Sequence, residues 1–245
     1  MGRDHPVSDS PPRSGTATTA ARFVATHSVL TLDARHPYVA KSLIDAQEMH
    51  RTVMSGFQGW VAEGAPEARA QMGVLSTWTV DLKAAALVLV VQSKVAADWA
   101  HIPRAALRDA PHLITVDRTF RTGEAVEFRA VVNPTYSRPR IGPDGEPVRG
   151  KRVAHTTRAG MQKWCAHHFG HGETPGRAGV IAGPDALSVH PLPTVSSAHP
   201  GKAVRIARAE VRGLVTVTDP ATFVRTLSDG VGRGRAYSCG LVLTR

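Results

Sequence analysis

Residues 230–241 read GVGRGRAYSCGL and connect a predicted helix to the last apolar segment of the chain. Glycine adopts positive φ without steric cost and lets backbone N–H groups approach a ligand closely. Arginine presents a fork of donors that matches phosphate oxygens. The segment therefore predicts a loop that binds an anion, with a phosphate backbone as the first candidate, although a plain turn before a strand has a similar composition.

The helix before this loop has a clear start signal. Asp219 is placed to cap it and Pro220 occupies its first turn. Gly230 ends it, and its predicted buried stripe consists of Phe223, Val224 and Leu227. A helix, a projecting loop and a final strand complete a β-α-β-β-α-β unit, in which this loop lies at the edge of the sheet.

The first half of the chain shows the same order of elements. Ser42 is the expected N-cap of the first helix, whose apolar residues recur on one face at Ala46, Met49, Val53 and Phe57. The predicted elements are a strand at 23–32, this helix at 42–56, a hairpin of strands at 74–80 and 86–91, a short helix at 102–110 and a strand at 124–132.

The second half repeats that order, which predicts an α+β fold of two tandem ferredoxin-like (RRM-like, βαββαβ) domains. Its predicted elements are a strand at 148–153, a helix at 156–169, strands at 186–192 and 204–217, the helix after Asp219 and a strand at 237–244. The expected division is a disordered leader at 1–21, an N-terminal domain at 22–137, a basic Pro/Gly-rich linker at 138–150 and a C-terminal domain at 151–245 with the Gly/Arg loop.

Composition narrows the class of protein. The 245 residues include 30 Lys and Arg against 20 Asp and Glu, a formal net charge of +10, which favours a polyanionic partner, although many basic proteins use charge only for solubility. Basic residues around the predicted linker include Lys151 and Arg152. No apolar run reaches the roughly 18 residues of a membrane helix. Two distant cysteines without a secretion signal favour a soluble, cytoplasmic protein with no membrane partner.

His50 and Arg51 form the first candidate site. His50 follows the core residue Met49 by about 100° around the helix axis, so it lies at the border of the buried stripe. Arg51 falls further toward solvent. Imidazole exchanges a proton near neutral pH and guanidinium steadies a phosphate, so the pair suits acid–base chemistry on a phosphodiester. A structural or solvated histidine is the alternative.

Signals for metal or cofactor binding are weak. The segment 164–171, WCAHHFGH, offers Cys and His, but no second Cys/His pair of the usual spacing completes a zinc site. No paired carboxylates of a two-metal nuclease and no Walker A sequence are recognisable. We therefore expect no metal and no small-molecule cofactor, with Cys165 and His168 helping to pack a helix.

Four passages resemble the CasE family, the endoribonucleases that process CRISPR RNA in type I-E Cascade systems. They are QEMHRTVMSGF at 47–57, ALVLVVQS at 86–93, FRAVVNP at 128–134 and GVGRGRAYSCGLVL at 230–243. The last is the most specific, with matches at Gly230, Gly232, Arg233, Cys239, Gly240 and Leu241. The resemblance runs from about residue 23 to the C-terminus.

The resemblance implies metal-independent cleavage of repeat RNA at the base of its stem-loop, through attack by a ribose 2′-OH that leaves a 2′,3′-cyclic phosphate and a 5′-OH. It implies that His50 is catalytic, while Gln47 stands where the family carries tyrosine and Val131 where it carries a second arginine. The expected RNA-binding residues are Arg51, Arg129, Lys151, Arg152, Gly232, Arg233 and Arg235.

The implied partners are repeat stem-loop RNA, which stays bound after cleavage, and the other Cascade subunits. Two readings compete with the nuclease. A non-catalytic module that binds an RNA hairpin fits the glutamine at position 47, and a structural Cascade subunit that binds only proteins is the weaker third.

Overall fold

The computed structural model describes residues 19–60, 67–197 and 203–245. They form two ferredoxin-like domains, each built on a four-stranded antiparallel sheet, and one separate two-stranded hairpin. The expected α+β class and the tandem arrangement are confirmed. None of the helices in these ranges has the length and apolar character needed to span a membrane.

The first domain is built around a long first strand. Its elements are β1 (Ala20–Asp33), α1 (Pro37–Ile44), α2 (Ala46–Met54), α3 (Ala68–Gln71), β2 (Leu75–Asp81), β3 (Ala86–Ser93) and β4 (His112–Arg121). The strand order β2-β3-β1-β4 is that of a ferredoxin-like sheet. The four apolar residues predicted on one helix face, Ala46, Met49, Val53 and Phe57, are all buried.

The second domain has the same strand order, with one insertion. Its elements are β5 (Ala125–Val132), β6 (Thr135–Ile141), β7 (Pro147–Ala154), α4 (Arg158–Phe169), β8 (Val180–Ser197), β9 (Val204–Val217), α5 (Pro220–Asp229) and β10 (Val242–Thr244). The sheet order is β10-β5-β9-β8. The hairpin β6–β7 is inserted between the first strand of this domain and its first helix.

The predicted domain boundary was misplaced. The strand at 124–132, expected to close the first domain, is β5 and pairs with β9 and β10 of the second sheet. The first domain closes with β4, a strand that the sequence did not indicate because only Phe120 in it is fully buried. The predicted linker at 138–150 belongs to the β6–β7 hairpin, and 148–153 is part of that hairpin rather than a first strand.

The boundaries of two predicted segments also differ from those in the structure. Residues 1–18 of the predicted leader lie outside the described residues, while Ala20 and Ala21 already belong to β1. Ser42 is not an N-cap. It lies inside α1, and its hydroxyl contacts Thr52 at 2.8 Å, whereas Asp45 separates α1 from α2 and caps α2 through the backbone N–H groups of Gln47 and Glu48.

A helix of the second domain takes the place of a missing helix in the first. The predicted helix at 102–110 is only a 3₁₀ turn, Arg104–Ala106. Instead, α5 packs against β1 and β4, with the ring of Phe223 edge-on to Phe120 at 4.9 Å between centroids. The Gln92 amide of β3 donates to the carbonyl of Leu227 at 2.8 Å.

One buried cluster is shared by the two domains, while a second lies within the first domain. Phe23 and Phe120 of the first sheet belong to the same buried cluster as Phe128 and Val211 of the second. A further contact between the domains places the guanidinium of Arg208 on β9 over the ring of Trp78 on β2, at 4.3 Å. These contacts fix the position of one domain against the other.

We expect Phe223→Ala to lower the free energy of unfolding by about 3–5 kcal/mol, because it removes a buried ring from the shared core. Unfolding should remain one transition, with tryptophan fluorescence and far-UV circular dichroism coinciding in a urea titration. Leu214→Ala, at a side chain that is 53% exposed, is the control and should cost within roughly 0.5 kcal/mol. Two separated transitions in the unmodified protein would contradict the shared core.

Candidate active site

The side chain of His50 lies on α2 at the border of its buried face, as its spacing predicted. The helix is held at its start by Asp45, whose Oδ1 accepts from the backbone N–H of Gln47 at 2.7 Å. The other carboxylate oxygen accepts from the Ser197 hydroxyl at 3.1 Å, at the far end of β8. Thus the long strand of the second domain helps to position the helix that carries His50.

The Gly/Arg loop, residues 230–241, is closed by backbone hydrogen bonds. The N–H of Val231 donates to the Gly240 carbonyl at 2.9 Å, and the N–H of Gly240 donates to the Val131 carbonyl at 2.7 Å. Gly232 has a φ of +71°, and a Cβ there would lie 2.7 Å from the Trp164 ring. This glycine is required by the fold of the loop, since any side chain would meet both strain and a steric clash.

The loop reaches the first domain through a short 3₁₀ turn, Arg235–Tyr237. The next residue, Ser238, is buried, and its hydroxyl lies 3.0 Å from that of Ser76 on β2. Each hydroxyl satisfies the other in a place that water does not reach. This contact fixes the turn beside α2.

The turn supplies two contacts to the helix. An imidazole N–H of His50 donates to the carbonyl of Ala236. The ring of Tyr237 lies 6.3 Å from the imidazole, between centroids, and its hydroxyl donates to Gln47 Oε1 at 3.4 Å. The resemblance to CasE proteins implies that Gln47 replaces a tyrosine of that family, and the phenol of Tyr237 from the second domain lies beside it.

The surroundings of His50 favour its neutral form. Burial lowers the pKa of the imidazole below its ordinary value, and the positive charges of Arg69 and, more weakly, Arg51 lower it further. The hydrogen bond to Ala236 acts in the opposite direction. In the neutral ring, the nitrogen that does not donate to Ala236 is a proton acceptor. His50 is therefore suited to remove a proton from a bound group.

Arg69 and Tyr237 were not recognised in the sequence. Arg69 lies on α3, where its Nη1 donates to the Val74 carbonyl at 2.6 Å. Burial and the nearby charge of Arg235 lower its pKa. The four-residue helix gives no periodic signal, and Tyr237 stands inside the Gly/Arg loop without a feature that marks it, so only the fold brings these side chains to His50.

Two of the expected RNA-binding arginines are paired with carboxylates. Arg51 pairs with Glu48, which also accepts from Lys41 at 3.0 Å. Arg129 pairs with Glu210 at 2.6 Å, and Arg212 binds the second oxygen of the same carboxylate at 2.8 Å. Arg51 remains about half exposed, with 51% of its side chain accessible. Val131, for which the resemblance implies an arginine in the family, is buried, and its carbonyl accepts from the N–H of Gly240 in the loop.

The remaining expected residues lie on the Gly/Arg loop and on the β6–β7 hairpin. Arg233 is exposed and forms an isolated backbone bridge with Asn133, immediately before the hairpin. Arg235 is half-buried, and its Nε donates to the Gly232 carbonyl at 3.2 Å. Lys151 is exposed on β7, where Arg152 is half-buried opposite Ser137. The Gly/Arg loop therefore connects the base of the hairpin to His50.

The C-terminal half of α4 packs into the core shared by the two domains through Trp164, Cys165 and Phe169. Cys165 is buried, and burial raises the pKa of its thiol to about 12. The ring of His168 lies 4.0 Å from that of Trp164. Within residues 19–60, 67–197 and 203–245, no three His, Cys, Asp or Glu side chains are grouped as a metal site.

A family model described as CRISPR associated protein matches residues 27–245. The chain belongs to this family. No curated protein sequence matches it. The expected resemblance to CasE proteins is confirmed by this match together with solved structures of Cse3 and Cas6e.

Three similar structures illustrate the likeness of this CRISPR-associated protein. Thermus thermophilus Cse3, bound to an RNA that represents a pre-cleavage complex, has a TM-score of 0.65 at 21% identity and covers 91% of this chain and 100% of its own. Escherichia coli K-12 Cas6e has a TM-score of 0.60 at 16% identity, with 90% and 98% covered. A chain of a CRISPR RNA-guided surveillance complex has a TM-score of 0.56 at 18% identity, and the match covers 90% of this chain and 98% of that one.

We expect the pKa of His50, measured by NMR titration of its imidazole, to lie below about 6.5. Arg69→Gln should raise it toward that value, because it removes a positive charge that opposes protonation. Arg51→Gln is the matched control and should raise it less, since Arg51 contributes less and is paired with Glu48. An unchanged His50 pKa in the Arg69 variant would contradict the proximity of the two groups.

Proposed function

We propose that this CRISPR-associated protein is a metal-independent endoribonuclease that cleaves CRISPR repeat RNA at the base of its stem-loop. The observation that carries the proposal is a half-buried, neutral His50 whose acceptor nitrogen is oriented by the Ala236 carbonyl beside a loop rich in arginine. Similar structures described as a CRISPR endoribonuclease bound to RNA support the same function.

The chemistry requires only groups that the RNA and this chain supply. His50 removes the proton of the ribose 2′-OH just upstream of the scissile phosphate, and the 2′-oxygen attacks the phosphorus. The bond from phosphorus to the 5′-oxygen breaks, which leaves a 2′,3′-cyclic phosphate and a 5′-OH. One proton moves from the 2′-oxygen to the 5′-oxygen, so an imidazole that takes it up and releases it returns to its starting state.

Arginines near His50 stabilise the charge that develops on the phosphate. Arg51 lies in the last turn of α2 on its exposed side, while Arg233 and Arg235 lie on the Gly/Arg loop. Arg69 adds a guanidinium held in place by Val74. Fixed donors of this kind contribute mainly by positioning and electrostatic stabilisation, since they need little reorganisation during the reaction.

The β6–β7 hairpin and its neighbours bind the stem. Lys151 and Arg152 on β7 track the backbone of the duplex, which in A-form RNA is recognised by shape and phosphate contacts. Because Arg233 bridges to Asn133 at the base of the hairpin, a stem on this surface ends near His50. Arg129 contributes on the face of the second sheet once RNA competes with Glu210 for it.

The cleaved RNA stays bound and enters the Cascade complex, with other Cascade subunits as protein partners. The likeness to a chain of an RNA-guided surveillance complex supports this assignment. A product held by several phosphate contacts dissociates slowly, and its affinity falls steeply with salt.

His50→Ala should reduce the single-turnover cleavage rate by about 10²- to 10⁴-fold while RNA affinity changes only a few-fold, because the imidazole transfers a proton and adds little binding. The assay uses repeat RNA in excess EDTA, where the unmodified protein should still cut. His101→Ala, at an exposed histidine outside the site, is the matched control and should cut normally. The rate should fall as pH drops through the lowered pKa of His50, where the base becomes protonated.

Analysis of the RNA ends separates this proposal from a non-catalytic hairpin-binding subunit. A 2′,3′-cyclic phosphate and a 5′-OH support the nuclease. Intact RNA that is bound tightly supports the binding module, while complete loss of cutting in EDTA would overturn metal independence.

The contacts of Tyr237 with His50 and Gln47 yield a separate expectation for catalysis. Tyr237→Ala should lower the cleavage rate by roughly tenfold or more, since it removes the ring that packs beside the imidazole and holds it in orientation. Tyr237→Phe keeps this ring, so it should recover most of the rate if packing is what matters. A phenylalanine variant as slow as the alanine variant would assign the effect to the hydroxyl instead.

A further inference from the structure

A second basic feature is lined in part by the Gly/Arg loop. A pocket of about 210 Å³ opens between the end of α4 and the end of α5. Its charged lining consists of Arg177, Arg225, Arg235 and Asp229, and it also contains His168 and the backbone of Gly232. We call it the α4–α5 pocket.

The arginines of the α4–α5 pocket are available for a ligand. Among residues 19–60, 67–197 and 203–245, none of the three makes an ion pair with a carboxylate within 4.0 Å. Arg225 donates one bond to Thr222 at 2.8 Å and Arg235 one bond to Gly232. A guanidinium has five N–H donors, so most remain unused.

The charge of the pocket stays positive across the working pH range. Three arginines line the pocket together with the carboxylate of Asp229. Asp219 does not line the pocket, but its carboxylate interacts electrostatically with Arg225. Burial, together with the charges of His167 and Arg177, lowers the pKa of His168 to about 4, so this imidazole is neutral near pH 7. It adds a hydrogen-bonding group without a charge. The pocket therefore attracts an anion through groups that do not titrate near neutrality.

The size of the pocket selects a small anionic group. Its 210 Å³ is below the roughly 300–1,000 Å³ of sites that enclose a drug-sized ligand. A phosphodiester with part of its sugar fits this space, and forked arginines match its oxygens. Arg235 connects the pocket to the site, because Ala236, the next residue, accepts the hydrogen bond of His50.

We propose that the α4–α5 pocket binds an internal backbone phosphate of the single-stranded RNA that flanks the scissile phosphate. The proposal rests on the proposed function for the identity of the RNA, and it adds Arg177, Arg225 and His168 to the substrate-binding surface. A strand that leaves His50 across Arg235 enters the pocket, so the flank is held on one side of the cleavage point while the hairpin surface holds the stem.

The test compares binding of two RNAs by the full chain. Both carry the repeat hairpin with a 2′-deoxy substitution that removes the nucleophile, so only affinity is measured. One has single-stranded flanks and the other ends at the stem. The double variant Arg177→Gln/Arg225→Gln should bind the flanked RNA roughly 10- to 100-fold more weakly and the flankless RNA as the unmodified protein does.

The salt dependence provides a second readout. For the flanked RNA, the slope of log affinity against log salt should become shallower by about 0.7 for each single-strand phosphate that the variant no longer neutralises. The control is Lys83→Gln/Arg104→Gln, which removes the same number of charges from exposed positions of the first domain and should leave the dependence on the flanks unchanged. Thermal unfolding should be alike for all variants.

Several results would overturn the proposal. Equal losses of affinity for both RNAs would assign the arginines to the stem instead of the flank. Unchanged affinity for every RNA is the result expected if an acidic protein segment occupies the pocket. If the unmodified protein binds flanks through these arginines but never cuts, the proposed nuclease fails while the pocket stands.

Discussion

One hydrogen bond organises the site: the imidazole of His50 donates to the carbonyl of Ala236, across the boundary between the domains. A backbone carbonyl is an acceptor that cannot itself titrate, so it fixes which nitrogen of a neutral ring is free to take a proton. The bond depends on the position of the Gly/Arg loop. That position depends in turn on the buried contact between Ser76 and Ser238. It also depends on Gly232, where a larger residue would clash with the Trp164 ring.

The sharing of elements between domains explains how such a contact stays in register. Interdomain contacts of ordinary size permit small domain motions. If the histidine and the loop belonged to domains joined only by such contacts, these motions would move one out of line with the other. Here α5 covers the first sheet while it belongs to the second domain, and Arg208 stacks on Trp78 at another point of the boundary. The site is thus supported by packing on both sides of the loop.

Sequence patterns predicted α2, α4, α5 and the class of fold, because those depend on local periodicity and capping. The one-face spacing around Met49 placed His50 correctly at the border of the core, and Asp219-Pro220 marked the start of α5. The partition of strands into sheets could not be predicted this way, since β5 alternates equally well in either domain. Arg69 and Tyr237 were missed for a related reason: their nearness to His50 arises from long-range packing, which leaves no trace in spacing.

The length of β1 has a consequence for how the protein moves. Its first half, with Phe23 and Ala25, lies in the core shared with the second domain, and its second half, with Leu30 and Leu32, lies in the core beside α2. A single continuous strand thus belongs to both cores, so neither can open alone without breaking the hydrogen-bond ladder that runs through the other. We therefore expect amide exchange along β1 to require global unfolding rather than local fluctuations.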